Sequence, residues 1–147
     1  MHVNMKTLKP DNNKIEAIEF DYLFKNPSQL PNAGNGLFTA VDIYIDETIA
    51  VFKGEALSAE EAKKRAQEGN DRYFINQLDN TIMDSMHTAC FAKYANDVNG
   101  SPNTTFKNNA EIVLDENDKI CIKATREIKA NEEVFCSYGK KYWEKHS

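Results

Sequence analysis

The sequence has few of the residues on which several large classes of protein depend. Its 147 residues include only three cysteines, with no C-x-x-C pair, and three histidines. A disulfide framework or a tetrahedral zinc site is therefore poorly supported, and a reducing compartment is expected. The apolar runs are too short to span a bilayer, and Met1 to Pro10 lack the apolar segment of a signal peptide. We expect no classical secretion, no membrane association and no bound metal.

Arginine is also scarce. Of the 18 basic residues only three are Arg, and 23 acidic residues bring the net charge to −5. A net-acidic chain with little arginine is a poor candidate for binding phosphates or reading guanine edges. Direct binding of nucleic acid is therefore not expected, whereas basic peptides are suitable partners on charge alone.

The remaining composition is that of an ordinary globular domain, with 41% hydrophobic and 28% charged residues. A chain of this length can bury one core of its own. Residues 1–13 are polar and are predicted to be a flexible N-terminus. Residues 14–147 are predicted to form the single domain.

Short strands dominate the predicted secondary structure. A helix is indicated after Ser58, a typical capping residue, and Gly69 supplies its end. The clearest hairpin joins residues 111–114 to 119–124 across a turn-forming tetrapeptide. Strands are also expected over residues 15–24 and 133–137. Many short strands with one or two helices predict an α+β, mainly β fold.

Three clusters of residues are unusual for a plain core. The first, residues 34–38, reads Gly-Asn-Gly-Leu-Phe; it permits positive φ and exposes backbone groups to a ligand, although Asn-Gly is also a standard turn. The second surrounds Asn96 and continues to Pro102-Asn103. The third, residues 132–143, contains Tyr138-Gly139. Each cluster alone has a structural explanation as well as a functional one.

The order of these clusters resembles the SET domain of protein lysine methyltransferases. The series continues through Phe52-Lys53-Gly54-Glu55 between the first two clusters and through Glu132-Glu133-Val134 before Tyr138. It covers residues 33–143, and the segments at Asn96 and Tyr138 are its most specific parts. The resemblance implies a SET-type, β-clip-like fold of several small sheets, one or two short helices and a knot-like C-terminal segment.

The resemblance also implies transfer of a methyl group from S-adenosylmethionine to a lysine side-chain nitrogen of a protein, without a metal. Free lysine has a pKa of about 10.4, so a dry channel must favour the neutral amine and hold the reacting atoms in line. Tyrosines suit this channel, because their hydroxyls orient an amine without carrying charge. The expected substrate is a basic protein such as a histone, in the cytoplasm or on nuclear chromatin. A homodimer is compatible with so small a domain.

Carried over residue by residue, the resemblance assigns catalytic roles to two tyrosines. Tyr138 is the principal catalytic tyrosine, and Tyr73 is the second. The two binding sets are Gly34, Asn35, Gly36, Leu37, Asn96, Asp97 and Trp143 for the cofactor, and Tyr142, Cys136 and Phe52 for the substrate.

The chain departs from the family pattern at several positions. Asp97 stands where His is usual, and Phe52 replaces a frequent Tyr. Asn131 replaces a Gly, at a position where Asn can also adopt positive φ. Cys136 stands where many relatives carry a Phe or Tyr that limits methylation. We therefore predict addition of more than one methyl group, although a core cysteine is the alternative interpretation.

Two other functions stay open at this point. The departures at Asp97 and Phe52 favour a catalytically weak or inactive SET-like module that binds peptide or cofactor. The motif series can also be a coincidence in an unrelated β-rich partner protein, which would not bind S-adenosylmethionine. Replacing Tyr138 by Phe separates an enzyme from a binding module, because an enzyme should lose most of its rate and still bind the cofactor.

Overall fold

The computed structural model describes residues 18–77 and 79–138. Within these residues the chain forms short strands, two helices and two 3₁₀ turns. The helices are α1 (Glu19–Tyr22) and α2 (Ala59–Gln67), the 3₁₀ turns are Ala92–Tyr94 and Val98–Gly100, and the strands are β1 (Leu23–Pro27), β2 (Asn35–Thr39), β3 (Thr48–Val51), β4 (Glu55–Leu57), β5 (Phe74–Asn76), β6 (Ile82–Asp84), β7 (Ala110–Leu114), β8 (Ile120–Ala124), β9 (Glu133–Val134) and β10 (Cys136–Ser137).

The strands assemble into three small sheets. The first has the order β1-β2-β9, the second β10-β7-β8-β3 and the third β4-β6-β5. All described pairs are antiparallel except β10 with β7. This arrangement confirms the predicted α+β, mainly β fold. No helix in the described part of the chain is long and apolar enough to cross a membrane.

The apolar core is built from the first two sheets and the segments that connect them. Leu37 of β2, Ile49 of β3, Ile122 of β8 and Val134 of β9 are all fully buried in one cluster. Burial of each such side chain stabilises the fold by roughly 1.5 to 3 kcal/mol. The strands of the third sheet contribute no described residue to this cluster.

Helix α2 follows the prediction. The Ser58 hydroxyl oxygen accepts the backbone N–H of Glu61 at 3.1 Å, and Gly69 adopts φ +79° after the last turn. Arg65 connects the helix to the third sheet, since its guanidinium binds Glu55 of β4 and the fully buried Asp84 of β6. These bonds fix the third sheet under the helix.

The strand expected over residues 15–24 is confirmed at residues 23–24 but is wrong at residues 19–22. Residues 19–22 form a helical turn, and strand β1 starts only at Leu23. The turn places Glu19 and Tyr22 on one side, where the Glu19 carboxylate accepts the Val51 N–H at 2.9 Å and the Tyr22 hydroxyl donates to Ile49 O at 2.6 Å. An extended chain would point residues three apart to opposite faces. Residues 15–17 lie outside the described residues.

The strand predicted over residues 133–137 is divided in the structure. Strand β9 pairs with β2 in the first sheet and β10 with β7 in the second, so the chain changes sheets at Phe135. The Asn109 side chain holds this crossing, because its Nδ2 donates to Glu133 O at 3.0 Å and its Oδ1 accepts the Phe135 N–H at 2.8 Å. The crossing brings the following Tyr138 next to the segment around Asn96.

Candidate functional site

One cavity of about 500 Å³ lies where distant segments of the chain meet. Its walls come from the turn before β2, the start of β5, the segment 92–97 and the residue that follows β10. Much of the predicted site lies in these walls. The predicted residues that line the cavity are Gly34, Asn35, Phe52, Tyr73, Asn96, Asp97 and Tyr138.

The other predicted site residues lie elsewhere. Gly36, Leu37 and Cys136 are buried and are not among the residues that line this cavity. Tyr142 and Trp143 lie outside the described residues. The roles assigned to these five residues stay predictions.

The turn before β2 is closed by hydrogen bonds at both ends. The Ser28 N–H donates to Gly34 O at 2.8 Å, and the Asn96 side chain donates from Nδ2 to Asn35 O at 3.0 Å. Gly34 adopts φ +67°, a conformation that favours glycine. The side chain missing at Gly34 leaves room beside the Arg72 guanidinium, which lies 3.9 Å from the position of a Cβ.

The buried carboxylate of Glu133 also holds this turn. Glu133 of β9 is 2% exposed, and it accepts the Ser28 hydroxyl at 2.6 Å and the Gln29 N–H at 2.8 Å. A side chain at Gly36 would overlap Glu133 Oε2. Glycine at position 36 is therefore required for the turn to pack against β9. Gly36 lies against Glu133 and does not line the cavity.

The segment 95–97 holds the predicted catalytic tyrosine at two points. The Tyr138 hydroxyl donates to Ala95 O at 2.5 Å, and the Tyr138 N–H donates to Asp97 Oδ2 at 2.8 Å. The N–H of Cys136, two residues earlier, donates to Asn96 O at 2.8 Å. The tyrosine is thus fixed on the wall that also carries Asn96.

Two cations lie in the cavity wall beside aromatic rings. The Lys93 ammonium donates to three backbone carbonyls between residues 85 and 88 at 3.0 to 3.2 Å, and it lies 5.4 Å from the ring centres of Tyr73 and Tyr94. The Arg72 guanidinium lies 5.2 Å from the Tyr73 ring centre and forms no ion pair with another described residue. The Lys93 ammonium therefore makes its hydrogen bonds within the protein, whereas the Arg72 guanidinium is available to bind an anionic group.

Sequence reasoning missed several lining residues. Tyr94 lies two residues before Asn96, inside a cluster that the sequence had already singled out, and Arg72 directly precedes Tyr73. Ile75 of β5 and Ile112 of β7 add an apolar surface that no local motif marks. Only the fold brings these two strands to one cavity.

Cys136 lies near the site, and its thiol is buried. Burial raises the pKa of the Cys136 thiol well above its ordinary value, and the nearby Asp97 carboxylate adds to this effect. The thiolate is the nucleophilic form of cysteine. Burial therefore disfavours the thiolate that a nucleophilic role of Cys136 would need at neutral pH. No group of three potential metal-ligating side chains occurs among residues 18–77 and 79–138.

Comparison with known proteins places the fold. The family model of the SET domain matches residues 34–139, which is most of the chain. The chain belongs to the SET domain family. This result confirms the resemblance and the SET-type fold predicted from the order of the motifs. SET domains are generally protein lysine methyltransferases.

A solved structure is similar to this SET domain. It is a chain of a humanized mutant of the Chaetomium thermophilum Polycomb Repressive Complex 2 bound to the inhibitor GSK343, with a TM-score of 0.68 and 26% sequence identity. The match covers 80% of this chain and 15% of that chain, so the domain spans a small part of its relative's length. No curated protein matches the chain significantly.

Proposed function

We propose that this SET domain transfers the methyl group of S-adenosylmethionine to a lysine side-chain nitrogen of a protein. The observation that carries the proposal is the shared cavity. Its wall combines the Gly34 turn, the Asn96 amide and the Tyr138 hydroxyl with apolar side chains. No one of these groups is decisive alone, but methyl transfer needs a cofactor site and a dry channel in direct contact.

The residues present suit the amino-acid end of the cofactor. Asn96 uses Nδ2 to bind Asn35 O, and its Oδ1 has no partner among the described residues, so it can accept from an ammonium group. Arg72 can pair with a carboxylate on the same wall. Bound there, S-adenosylmethionine would supply an electrophilic methyl group on its sulfonium.

The remaining wall suits a lysine side chain that must lose its proton. Phe52, Ile75 and Ile112 present apolar surface to the cavity. Removal of water disfavours the ammonium form and lowers the pKa of an entering lysine. The Tyr138 hydroxyl is already oriented by Ala95 O, so its oxygen can direct the neutral amine without adding charge. Tyr73 adds a second hydroxyl-bearing ring to the same wall.

The proposed substrate is a basic, extended peptide segment, such as a histone tail. Among the described strands, β5 lies at an edge of the third sheet, and its residues Phe74 and Ile75 line the cavity. A free strand edge can pair with an extended peptide through the backbone. The net charge of −5 favours the approach of basic segments. The corresponding compartments are the cytoplasm or, for a histone, chromatin.

Replacement of Tyr138 by Phe tests the proposal. With mixed histones as substrate, we expect the methylation rate to fall at least about 100-fold, while the calorimetric Kd for S-adenosylmethionine stays within about twofold. Tyr44→Phe is the matched control, because Tyr44 is 56% exposed and does not line the cavity. An unchanged rate in Tyr138→Phe would contradict the proposed role.

One observation favours a second function. Phe52 lines the cavity and offers no hydroxyl there, and this is a departure that can weaken catalysis. A binding module would bind S-adenosylmethionine and a basic peptide without transfer. Mass spectrometry after prolonged incubation with mixed histones separates the two functions, because a module leaves every lysine unmodified.

A further inference from the structure

We propose that Asp97 is a positioning residue that holds Tyr138 in the cavity through its carboxylate. The inference deepens the proposed methyl transfer and rests on it for its catalytic consequence. Asp97 stands where the family usually has His, and on the sequence alone this departure suggested weak activity. In this proposal Asp97 instead has a defined role in the site.

The Asp97 carboxylate is buried and accepts three hydrogen bonds. It is 4% exposed, and its Oδ2 accepts the Tyr138 N–H at 2.8 Å. Its Oδ1 accepts the Asn99 N–H at 2.9 Å and the Asn108 Nδ2 at 2.9 Å. Asn108 in turn accepts the Val98 N–H at 3.1 Å, which closes a small network around residue 97.

Only a carboxylate fits this set of donors. An ionised aspartate accepts through two oxygens and donates through none. A neutral histidine has one acceptor nitrogen and one N–H, so it would leave donors of Asn99, Asn108 or Tyr138 without partners. The chain therefore carries Asp97 together with the donors that require it.

The bond to Asp97 controls the residue on which methyl transfer depends. Strand β10 ends at Ser137, so the Tyr138 N–H lies past the pairing of β10 with β7. The hydroxyl of Tyr138 binds Ala95 O, two residues before Asp97. The tyrosine is thus fixed at its backbone and at its ring tip by one segment. A displacement of about 1 Å at a catalytic group can reduce a rate about 100-fold.

The first test needs no substrate. Amide hydrogen exchange is measured by NMR in the wild type and in Asp97→Ala and Asp97→Asn, with Ile122 of the core as the internal reference. We expect the Tyr138 amide to exchange about 10- to 100-fold faster in Asp97→Ala and less so in Asp97→Asn, with Ile122 unchanged. Asp115→Ala is the matched control, since Asp115 Oδ1 also accepts two backbone N–H groups but lies in the β7–β8 turn.

The outcomes of this test are distinct. An unchanged Tyr138 amide in Asp97→Ala would overturn the proposal. If Asp97→Ala also accelerates Ile122, the variant has lost global stability, and Asp97→Asn decides in its place. In Asp97→Asn, exchange that is faster than in the wild type at Tyr138 but not at Ile122 supports the proposal. An equal change relative to the wild type at both amides overturns it.

The second test uses activity. We expect kcat to fall about 10- to 100-fold in Asp97→Asn while the Kd for S-adenosylmethionine changes much less. Asp97→His restores the residue usual in the family and should also be slower than the wild type. A faster Asp97→His enzyme would overturn the proposal. A wild type without methyl transfer would refute the proposed function, while the exchange rates still decide whether Asp97 anchors Tyr138.

Discussion

The contact between Glu133 and the turn before β2 leads to a quantitative prediction. Glu133 accepts two hydrogen bonds from Ser28 and Gln29, and bonds to a charged acceptor contribute about 1.5 to 3 kcal/mol each. Part of this gain is offset, because the folded chain must strip water from the carboxylate. We therefore expect Glu133→Ala to lower the free energy of unfolding by about 2 to 3 kcal/mol.

The neighbouring residue supplies the control. Glu132 is exposed, and its carboxylate accepts one bond, from the Lys129 N–H at 2.7 Å. Glu132→Ala should therefore cost less than about 1 kcal/mol. Urea unfolding followed by circular dichroism measures both variants, and equal losses for the two would refute the reasoning.

A double-mutant cycle with Gly36 makes the test sharper. A Cβ at Gly36 would overlap Glu133 Oε2 and come within 2.8 Å of Glu133 Cδ. Gly36→Ala should cost about 1 to 3 kcal/mol in the wild type and clearly less in Glu133→Ala, where the overlap is gone. We expect a coupling energy of at least about 1 kcal/mol, whereas additive losses would contradict the contact. The affinity for S-adenosylmethionine should fall in both single variants, because the turn lines the cavity.

Three further predictions concern the cavity, the helix contact and the product. Arg72→Ala should weaken the binding of S-adenosylmethionine about 10-fold. The affinity for methylthioadenosine, which lacks the amino-acid portion, should stay unchanged. Equal losses of affinity for the two compounds in calorimetry would contradict a carboxylate contact. The hydrogen bond from Arg65 lowers the pKa of Glu55 below its usual 4.5, so the wild type should be more stable than Glu55→Gln at neutral pH, and this difference should vanish as the pH falls through the lowered pKa. A constant difference in urea unfolding from pH 7 to 3 would contradict it. The wild type should yield di- or trimethyl-lysine in mass spectra and Cys136→Tyr mainly monomethyl-lysine, whereas identical products would contradict the role of Cys136.

Local signals in the sequence were sufficient for much of the fold. The Ser58 cap and Gly69 predicted α2, and alternation around a turn predicted the hairpin of β7 and β8. Asn131 adopts φ +73°, as expected where the family carries Gly. In each case neighbouring residues determine the structure, so the pattern can be recognised without knowledge of the fold.

Contacts between distant residues set the limit of the prediction. Periodicity favoured a strand at residues 19–22, but the bonds of Glu19 and Tyr22 to β3 select a helical turn. Residues 133–137 look like one strand, and only the Asn109 side chain shows why they divide between two sheets. These partners are 24 to 32 residues apart in the chain, and no short pattern encodes them.

The site was predicted in the same uneven way. The motif order led to seven of the residues that line the cavity, among them Gly34, Asn96 and Tyr138, because these positions match motifs of the family. The hydrogen bond from Tyr138 to the Asp97 carboxylate was not predictable, since the two residues are 41 positions apart in the chain. The place of Arg72 in the wall likewise depends on a contact between distant residues, since its guanidinium lies 3.9 Å from the Cβ position of Gly34.

Calorimetric titration with S-adenosylmethionine tests the central claim most directly. We predict saturable binding at one site, weakened at least about 10-fold in Asn96→Ala, because the change removes both the bond to Asn35 and the acceptor for the cofactor's ammonium. Asn117→Ala, in the exposed β7–β8 turn, should bind as the wild type does. No binding by a folded, monodisperse protein, with mixed histones present or absent, would contradict the account.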